Sequence, residues 1–562
     1  LAGQSQTVFI TGSPGRGKTA LLEAFTQQAM EKHPSLLVVG SKCNAYAGIG
    51  DPYLPYRDAM AMLTGDVEGR WDAGTITCDH ARRLWAAFPL VIRALLNHGS
   101  HLIDVLVPST TLLSRARIVE QVSTPWLSGL GEQISRQGLS VKDVEQSTLF
   151  QQVANVLGNV ARKRPLLLIL DDIQWADAAS ISLLFHLGRY LADADSQMLV
   201  ACAYRPEEVA MGRNGKRHPL AKILTEFKRT YGDIWVRLSH EEEETDRKFM
   251  NALLNIEPNQ LGEQFRTTLF DRTRGHPLFT IELLGAMQER GDLLKNADGA
   301  WVEGPTLDWN LLPARIEGVI EERIDRLDPE LQKILTVASV EGELFTAQII
   351  AEALNVSEKS ILHHLSQDLE RQHRLIREQE EVEINLRRMS RYRFSHALFQ
   401  DYLYKRLSNG ERRLMHGDVA TALEKLYEGQ QDETAVQLAH HFHQAGDFGR
   451  AFHYSTLAAE RAARLYESRE AIRHYTRAIQ LAEKVYPDVV SLTRLRRGRG
   501  LAFERVGEFD QACNDHTVCL GLARAAEKRR LTWRASIDLG RLWTSRDYNQ
   551  ARDYFETALE LA

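Results

Sequence analysis

The chain has 562 residues, of which 44% are hydrophobic and 26% charged, the balance of an ordinary folded protein, and this excludes collagenous, low-complexity and largely disordered material. At about 100 to 200 residues per domain, such a length makes three to five domains. Lysine and arginine (69) against aspartate and glutamate (75) leave a net charge of −6, so no global positive field draws the chain to nucleic acid or to an anionic membrane.

In chain order, short apolar runs come first, at Thr7 to Ile10, Leu36 to Val39, Leu166 to Leu170, Met198 to Tyr204 and Ile234 to Leu238. Helix-like spacers separate them, the pattern of a parallel sheet covered by helices, which predicts an α/β domain over 1–240. A helical insertion is expected over about 44–147, with patches at Ala81 to Leu96 and Arg115 to Leu130. Helical periodicity then dominates 241–328, which reads as a helical lid with a small hairpin around Ala297 to Trp301. Residues 329–395 run helix, helix, helix and then alternating strand, as a winged helix does, and 396–432 read as a helical linker. From 433 to 562 the chain repeats itself. Gly446-Asp-Phe-x-x-Ala451, Gly507-Glu-Phe-x-x-Ala512 and Arg546-Asp-Tyr-x-x-Ala551 recur, with a degenerate copy at Glu467 to Ala471. Each sets a turn, an aromatic and a small residue where two antiparallel helices approach closely, the logic of tetratricopeptide-like pairs. The start at Leu1 and the stop at Ala562 inside an amphipathic helix suggest an excerpt of a longer protein.

Chemistry is written most sharply in Gly12-Ser13-Pro14-Gly15-Arg16-Gly17-Lys18-Thr19, which fits GxxxxGK[ST] between a strand and a helix. Its glycines let backbone N–H groups turn inward around a β-phosphate. Lys18 supplies charge to the β and γ oxygens, the Thr19 hydroxyl is a Mg²⁺ ligand, and the helix N-terminus adds its dipole. The strand ending in Asp171-Asp172 places Asp171 beside this loop to hold Mg²⁺ and Asp172 where it can orient or deprotonate an attacking water. The bland alternative for Asp172, and more so for Asp177, is capping of the next helix. The fold class expected is therefore an α/β P-loop NTPase domain followed by an all-α lid, a winged-helix domain and an α-helical tetratricopeptide-like solenoid.

The run Asp171-Asp-Ile-Gln-Trp-Ala-Asp177, with Arg205 in Ala203-Tyr-Arg-Pro-Glu207, resembles signal-transduction ATPases with numerous domains (STAND), a branch of the AAA+ relatives. The branch includes large LuxR-type ATP-binding regulators and ATPase regions attached to class III nucleotide cyclases or protein kinases. The resemblance extends to Phe394-Ser-His-Ala-Leu-Phe-Gln-Asp-Tyr402 and Arg412 to His416. It implies that Arg205 senses the γ-phosphate, that Pro277 in Gly275-His-Pro277 packs on the base, and that ATP and ADP with Mg²⁺ are the ligands. Two departures stand out: no Gly-Arg-Glu segment precedes the loop, and no effector domain lies within these residues.

Other signals have bland readings. Five cysteines without a CxxC suit reduced thiols in a cytoplasmic protein, and no apolar run reaches the ~20 residues of a membrane span. His440, His441 and His443 read as packing residues, and Arg494 to Arg505 as a solvated helix face. The presumptive recognition stretch Ser357 to Gln372 mixes both charges, which argues against DNA binding by this segment. The expected function is an ATP-dependent regulatory switch, a slow ATPase serving signalling or transcription regulation. In it, the repeats sense a small-molecule inducer or protein partner, and assembly into a homo-oligomer depends on nucleotide. The alternatives are an AAA+ motor or origin-type DNA-loading ATPase, which needs an arginine in trans such as Arg189, a scaffold with structural nucleotide, and the regulatory half of a nucleotide cyclase or kinase.

Overall fold

A computed structural model describes residues 5–43, 53–103, 105–109, 112–113, 115, 146–193, 196–212, 217–238, 243–305, 307–309, 312–313, 315–384 and 387–562. The helical patch expected at Arg115 to Leu130 lies outside them apart from its first residue. The expected strands form β1 (Gln6–Thr11), β2 (Leu37–Lys42), β3 (Leu166–Asp171), β4 (Met198–Tyr204) and β5 (Trp235–Arg237), all parallel, in the order β2-β3-β4-β1-β5. Such strands are covered on both faces, which is why they read as unbroken apolar runs and not as alternation. Helix α1 (Lys18–Lys32) follows β1 through the glycine-rich loop.

Between β2 and β3 the described helices are α2 (Leu54–Leu63), α3 (Glu68–Asp72) and α4 (Cys78–His98) within the expected insertion, and α5 (Gln146–Lys163), nearly all of it beyond the insertion's expected end. Leu84, Phe88, Val91 and Leu95 of α4 are buried with Val153, Val156 and Val160 of α5, so the insertion belongs to the sheet's own core. Helices α6 (Ala178–Asp193), α7 (Pro206–Met211) and α8 (Pro219–Tyr231) complete the layer, with Phe9 of β1 stacked on Trp235 and edge-on to Phe227.

The next segment holds α9 (Glu243–Leu254), α10 (Glu263–Thr273), α11 (Pro277–Arg290), the antiparallel pair β6 (Leu293–Lys295) and β7 (Trp301–Glu303), and α12 (Ile316–Asp325). It has its own core of Met250, Phe265, Leu269, Leu283 and Met287. Beyond it lie α13 (Pro329–Glu341), β8 (Leu344–Thr346), α14 (Ala347–Leu354), α15 (Glu358–His363), β9 (Ile376–Ile384) and β10 (Arg387–Phe394). The strands pair as β8-β10-β9, giving the helix, strand, helix, helix, hairpin order of a winged helix. The Ser357 to Gln372 stretch differs from a plain helix: α15 runs on into a π-helical stretch from His364 to Gln372, which turns Leu365 and Leu369 into the core.

Helices α16 (Ala397–Arg406) and α17 (Asn409–Leu426), the latter started by a Ser408/Glu411 capping box, lead to the repeats. These are α18 (Gln431–Ala445), α19 (Phe448–Arg464), α20 (Ser468–Val485), α21 (Val489–Arg505), α22 (Phe509–Ala525), α23 (Arg529–Trp543) and α24 (Tyr548–Leu561), each packed on the next. Ala451, Ala471, Ala512 and Ala551 are all buried where the recurring turns bring helices together. The Arg494 to Arg505 stretch is not a solvated face. Arg496 and Arg499 reach the buried Asp515 at 3.3 and 2.7 Å, and Arg497 pairs with the buried Asp538 of α23. These long side chains cross from α21 to buried carboxylates on its neighbours, a tertiary feature no charge count reveals.

All five cysteines are free thiols, and among the described residues no helix is long and apolar enough to cross a membrane. The repeats touch the ATPase core: Glu467, at the start of α20, is buried and hydrogen-bonded with Tyr53, close to Asp177.

Candidate functional site

The site lies along the C-terminal edge of the sheet. Because β4 separates β1 from β3, the ends of β1, β4, β3 and β2 present the glycine-rich loop, Arg205, Asp171 with Asp172, and Lys42 side by side. The loop turns through Gly15 (φ 78°) and Gly17 (φ 85°), conformations that strain any residue with a Cβ. Lys18 is buried and donates from Nζ to the carbonyls of Gly12 (2.7 Å) and Ser13 (3.0 Å). Burial, and next the charge of Arg205, lower its pKa.

The Thr19 hydroxyl donates to Asp171 Oδ2 at 2.7 Å, and Asp171 Oδ1 accepts from the Asp172 backbone N–H at 2.8 Å. Burial and the neighbouring Asp172 raise the Asp171 carboxyl. These two oxygen groups fit Mg²⁺, which takes one or two protein ligands and fills its shell with phosphates and water. Asp172 sits at φ 52° and is engaged at both oxygens. Oδ1 accepts from Gln174 Nε2 (2.8 Å) and Arg205 Nε (3.2 Å), while Oδ2 faces Lys42 Nζ at 3.5 Å. Burial works to raise its pKa, but Lys42 and then Arg205 outweigh it and hold the carboxyl at about 2.

Lysine 42 has a second partner, Glu343, from the loop between α13 and β8. An ion-pair chain therefore runs Arg205, Asp172, Lys42, Glu343, from the ATPase core into the winged-helix-like module. His396, at the start of α16, is pushed down to about 3 by burial and by the charge of Arg205, Lys42, His276 and Lys18. So many basic groups around two buried carboxylates make a site suited to a polyanion.

The helical segment after β5 packs on the same loop. His276 accepts at Nδ1 from the Phe279 backbone N–H (3.3 Å), so its other nitrogen, Nε2, donates to the Pro14 carbonyl at 3.0 Å. The Leu278 N–H donates to the Gly15 carbonyl at 3.3 Å, and a Cβ on Gly15 would stand 2.6 Å from His276 Cε1. Arg16 reaches Asp246 of α9 at 3.0 Å. Pro277 occupies the first turn of α11, between the two residues that grip the loop.

The predicted Lys18, Thr19, Asp171, Asp172 and Arg205 are thus brought together, and Arg16 turns its side chain to the lid. Asp177 lies apart and caps α6, accepting from the N–H groups of Ala179 (3.0 Å) and Ser180 (2.8 Å). Arg189 is exposed on α6. His441 and His416 meet Nδ1 to Nδ1 at 2.8 Å, and among the described residues no group of three or more His, Cys, Asp or Glu is placed to hold a metal. Sequence reasoning missed Lys42, Glu343, Asp246 and His276. Lys42 carried one signal: it ends an apolar strand in register with Asp171.

Residues 1–200 match the family model of the AAA ATPase domain, and with this loop and sheet order the N-terminal part of the chain is an AAA ATPase domain. Such a domain binds nucleotide, typically with Mg²⁺. Among solved structures, the chain is similar to a Signal Transduction ATPase with Numerous Domains protein with a tetratricopeptide repeat sensor from Pyrococcus horikoshii. That likeness has 12% identity and a TM-score of 0.35, over 99% of this chain and 81% of that one. It is also similar to CDC6P from Pyrobaculum aerophilum, at 13% identity and a TM-score of 0.24, over 75% of this chain and 89% of that one. No curated protein matches the chain.

Proposed function

We propose that the protein is a regulatory switch of the STAND type, closed in the arrangement described and opened by exchange of ADP for ATP. The observation that carries this reading is the convergence of three parts of the chain on one phosphate loop. The lid grips the loop's backbone through His276 and Leu278 and its side chain through Arg16, and the winged-helix-like module reaches Asp172 through Lys42. Lys18 and Arg205 bind and orient the phosphates, and Asp172 positions the water. Thr19 and Asp171 would hold Mg²⁺, which when bound supplies charge neutralisation at the phosphate oxygens. While Arg205, Gln174 and Lys42 engage Asp172, its carboxyl is held at about 2 and is a weak base towards a water, so closed molecules turn over slowly. The repeats, whose Glu467 meets the core beside Asp177, are the part able to pass an inducer's or partner's binding to the switch.

The test is nucleotide content and turnover of the purified protein beside Lys18→Ala, with size measured in ADP and in a non-hydrolysable ATP analogue. Retained ADP, a few turnovers per minute or fewer, and a larger or more extended species with the analogue are expected. Fast turnover stimulated by DNA would instead favour a loading ATPase, and absence of nucleotide binding by the folded protein would refute both.

A further inference from the structure

Lys42 has two anionic neighbours in different parts of the molecule, Asp172 in the ATPase core and Glu343 in the winged-helix-like module. The three side chains are 17%, 5% and 13% exposed, so their charges are little screened by solvent. Lys42 stands at the C-terminal end of β2 in register with Asp171, whose other side holds Thr19 at the foot of the phosphate loop. Parallel sheets bind their ligands at this edge. On the module's side, the Glu343 carbonyl accepts from the Phe394 backbone N–H at 3.0 Å. Phe394 lies two residues before His396, so Glu343 and His396 move as one piece.

We infer that Lys42 is a second γ-phosphate-sensing cation, alongside Arg205, and that Glu343 is the partner it must give up to bind that phosphate. With no third phosphate, Lys42 neutralises Glu343 and holds the module against the core. A γ-phosphate draws the ammonium away, leaves the Glu343 carboxylate facing Asp172 with no cation between them, and drives the module off. The inference rests on the switch reading above, because it presumes that the site takes ATP and ADP.

The test is the affinity of the full chain for ADP and for a non-hydrolysable ATP analogue, by competition with a fluorescent nucleotide. Wild type is compared with Lys42→Met, Glu343→Gln and the double variant. In Lys42→Met the preference for the analogue over ADP should fall about tenfold, the size of a lost charge-assisted contact. In Glu343→Gln, where the competitor is removed, the preference should rise about fivefold, the low end of ordinary coupling between sites. With Met at position 42, the Glu343→Gln effect should vanish. The inference is overturned if Lys42→Met keeps the wild-type preference within twofold, or if Glu343→Gln raises it equally with and without Lys42. Should Lys42→Met not fold, an unchanged preference in Glu343→Gln alone overturns it. A folded wild type that binds neither nucleotide refutes the switch reading itself, a result distinct from loss of preference.

Discussion

Replacing Asp246 by Asn tests whether the lid is held by charge. The Arg16 guanidinium is almost wholly buried, and among the described residues its Nε and Nη2 have no hydrogen-bond partner, so the Asp246 carboxylate at 3.0 Å is its principal compensation. Removing one member of a buried ion pair costs about 3 to 5 kcal/mol, because it strands the other charge. Asp246 is 14% exposed, and water admitted there lowers the cost to about 2 to 3 kcal/mol of lid closure. At about 1.4 kcal/mol per decade, bound ADP should leave roughly 30 to 150 times faster, measured by stopped-flow chase of a fluorescent ADP. The double change Arg16→Ala with Asp246→Ala deletes both partners, and paired removal costs far less than stranding one. It should therefore release ADP more slowly than Asp246→Asn alone. A rate within threefold of wild type in Asp246→Asn, or a double variant faster than the single, would refute the reasoning.

Lys18→Ala should abolish tight nucleotide binding while leaving the circular dichroism spectrum intact, since the Lys18 contacts are confined to its own loop. The histidine cluster predicts acid sensitivity of the first repeats. Burial holds His416 at about 4 and His440 at about 3, below their ordinary value near 6.5. Folded-state values are depressed, so the unfolded chain binds these protons more readily; their contribution is full above pH 6.5 and is lost as pH falls towards 4 and 3. For His416 the loss is about 2 kcal/mol at pH 5. Hydrogen exchange of peptides from 409–445, corrected for intrinsic rates, should show at least a tenfold loss of protection between pH 7 and pH 5; no loss would contradict it. In the solenoid, Ala471→Leu should overpack the α19 to α20 approach and cost about 1 to 3 kcal/mol, read as a lower unfolding midpoint of the repeats.

What the sequence made legible is what depends on neighbours in the chain. The glycine-rich loop could be read because its function needs Gly15 and Gly17 at positive φ and Lys18 and Thr19 at fixed offsets. The strands could be read because a sheet covered on both faces demands apolar runs. The repeats could be read because a turn with an alanine four or five residues on is a local unit. By contrast, the partners that tie the site to the rest of the molecule lie far off in sequence: Asp246 for Arg16, His276 for the Pro14 carbonyl, Glu343 for Lys42. A single acidic residue opposite a single basic one leaves no periodic mark, and only the folded chain brings them together. The arginines of α21 show the same limit, since their burial depends on carboxylates in α22 and α23.

The cations of the site differ in what their release would do. Lys18 donates to carbonyls of its own loop, so handing it to a phosphate changes nothing beyond that loop. Lys42 and Arg16 donate to carboxylates on other modules, so anything that moves them alters how those modules sit. A ligand shifts a conformational equilibrium only through unequal affinity for the two states, and a cation that cannot serve a phosphate and a distant carboxylate together supplies that inequality. Its size bears on the mechanism. One such exchange is worth about 1 to 3 kcal/mol, whereas taking an equilibrium from 1:99 to 99:1 needs about 5.5 kcal/mol. On the proposed switch reading, Lys42 alone is therefore too weak to drive the change, and the contacts of Arg16, His276 and Leu278 must yield with it. That the lid and the winged-helix-like module grip the same few residues is what allows these increments to add.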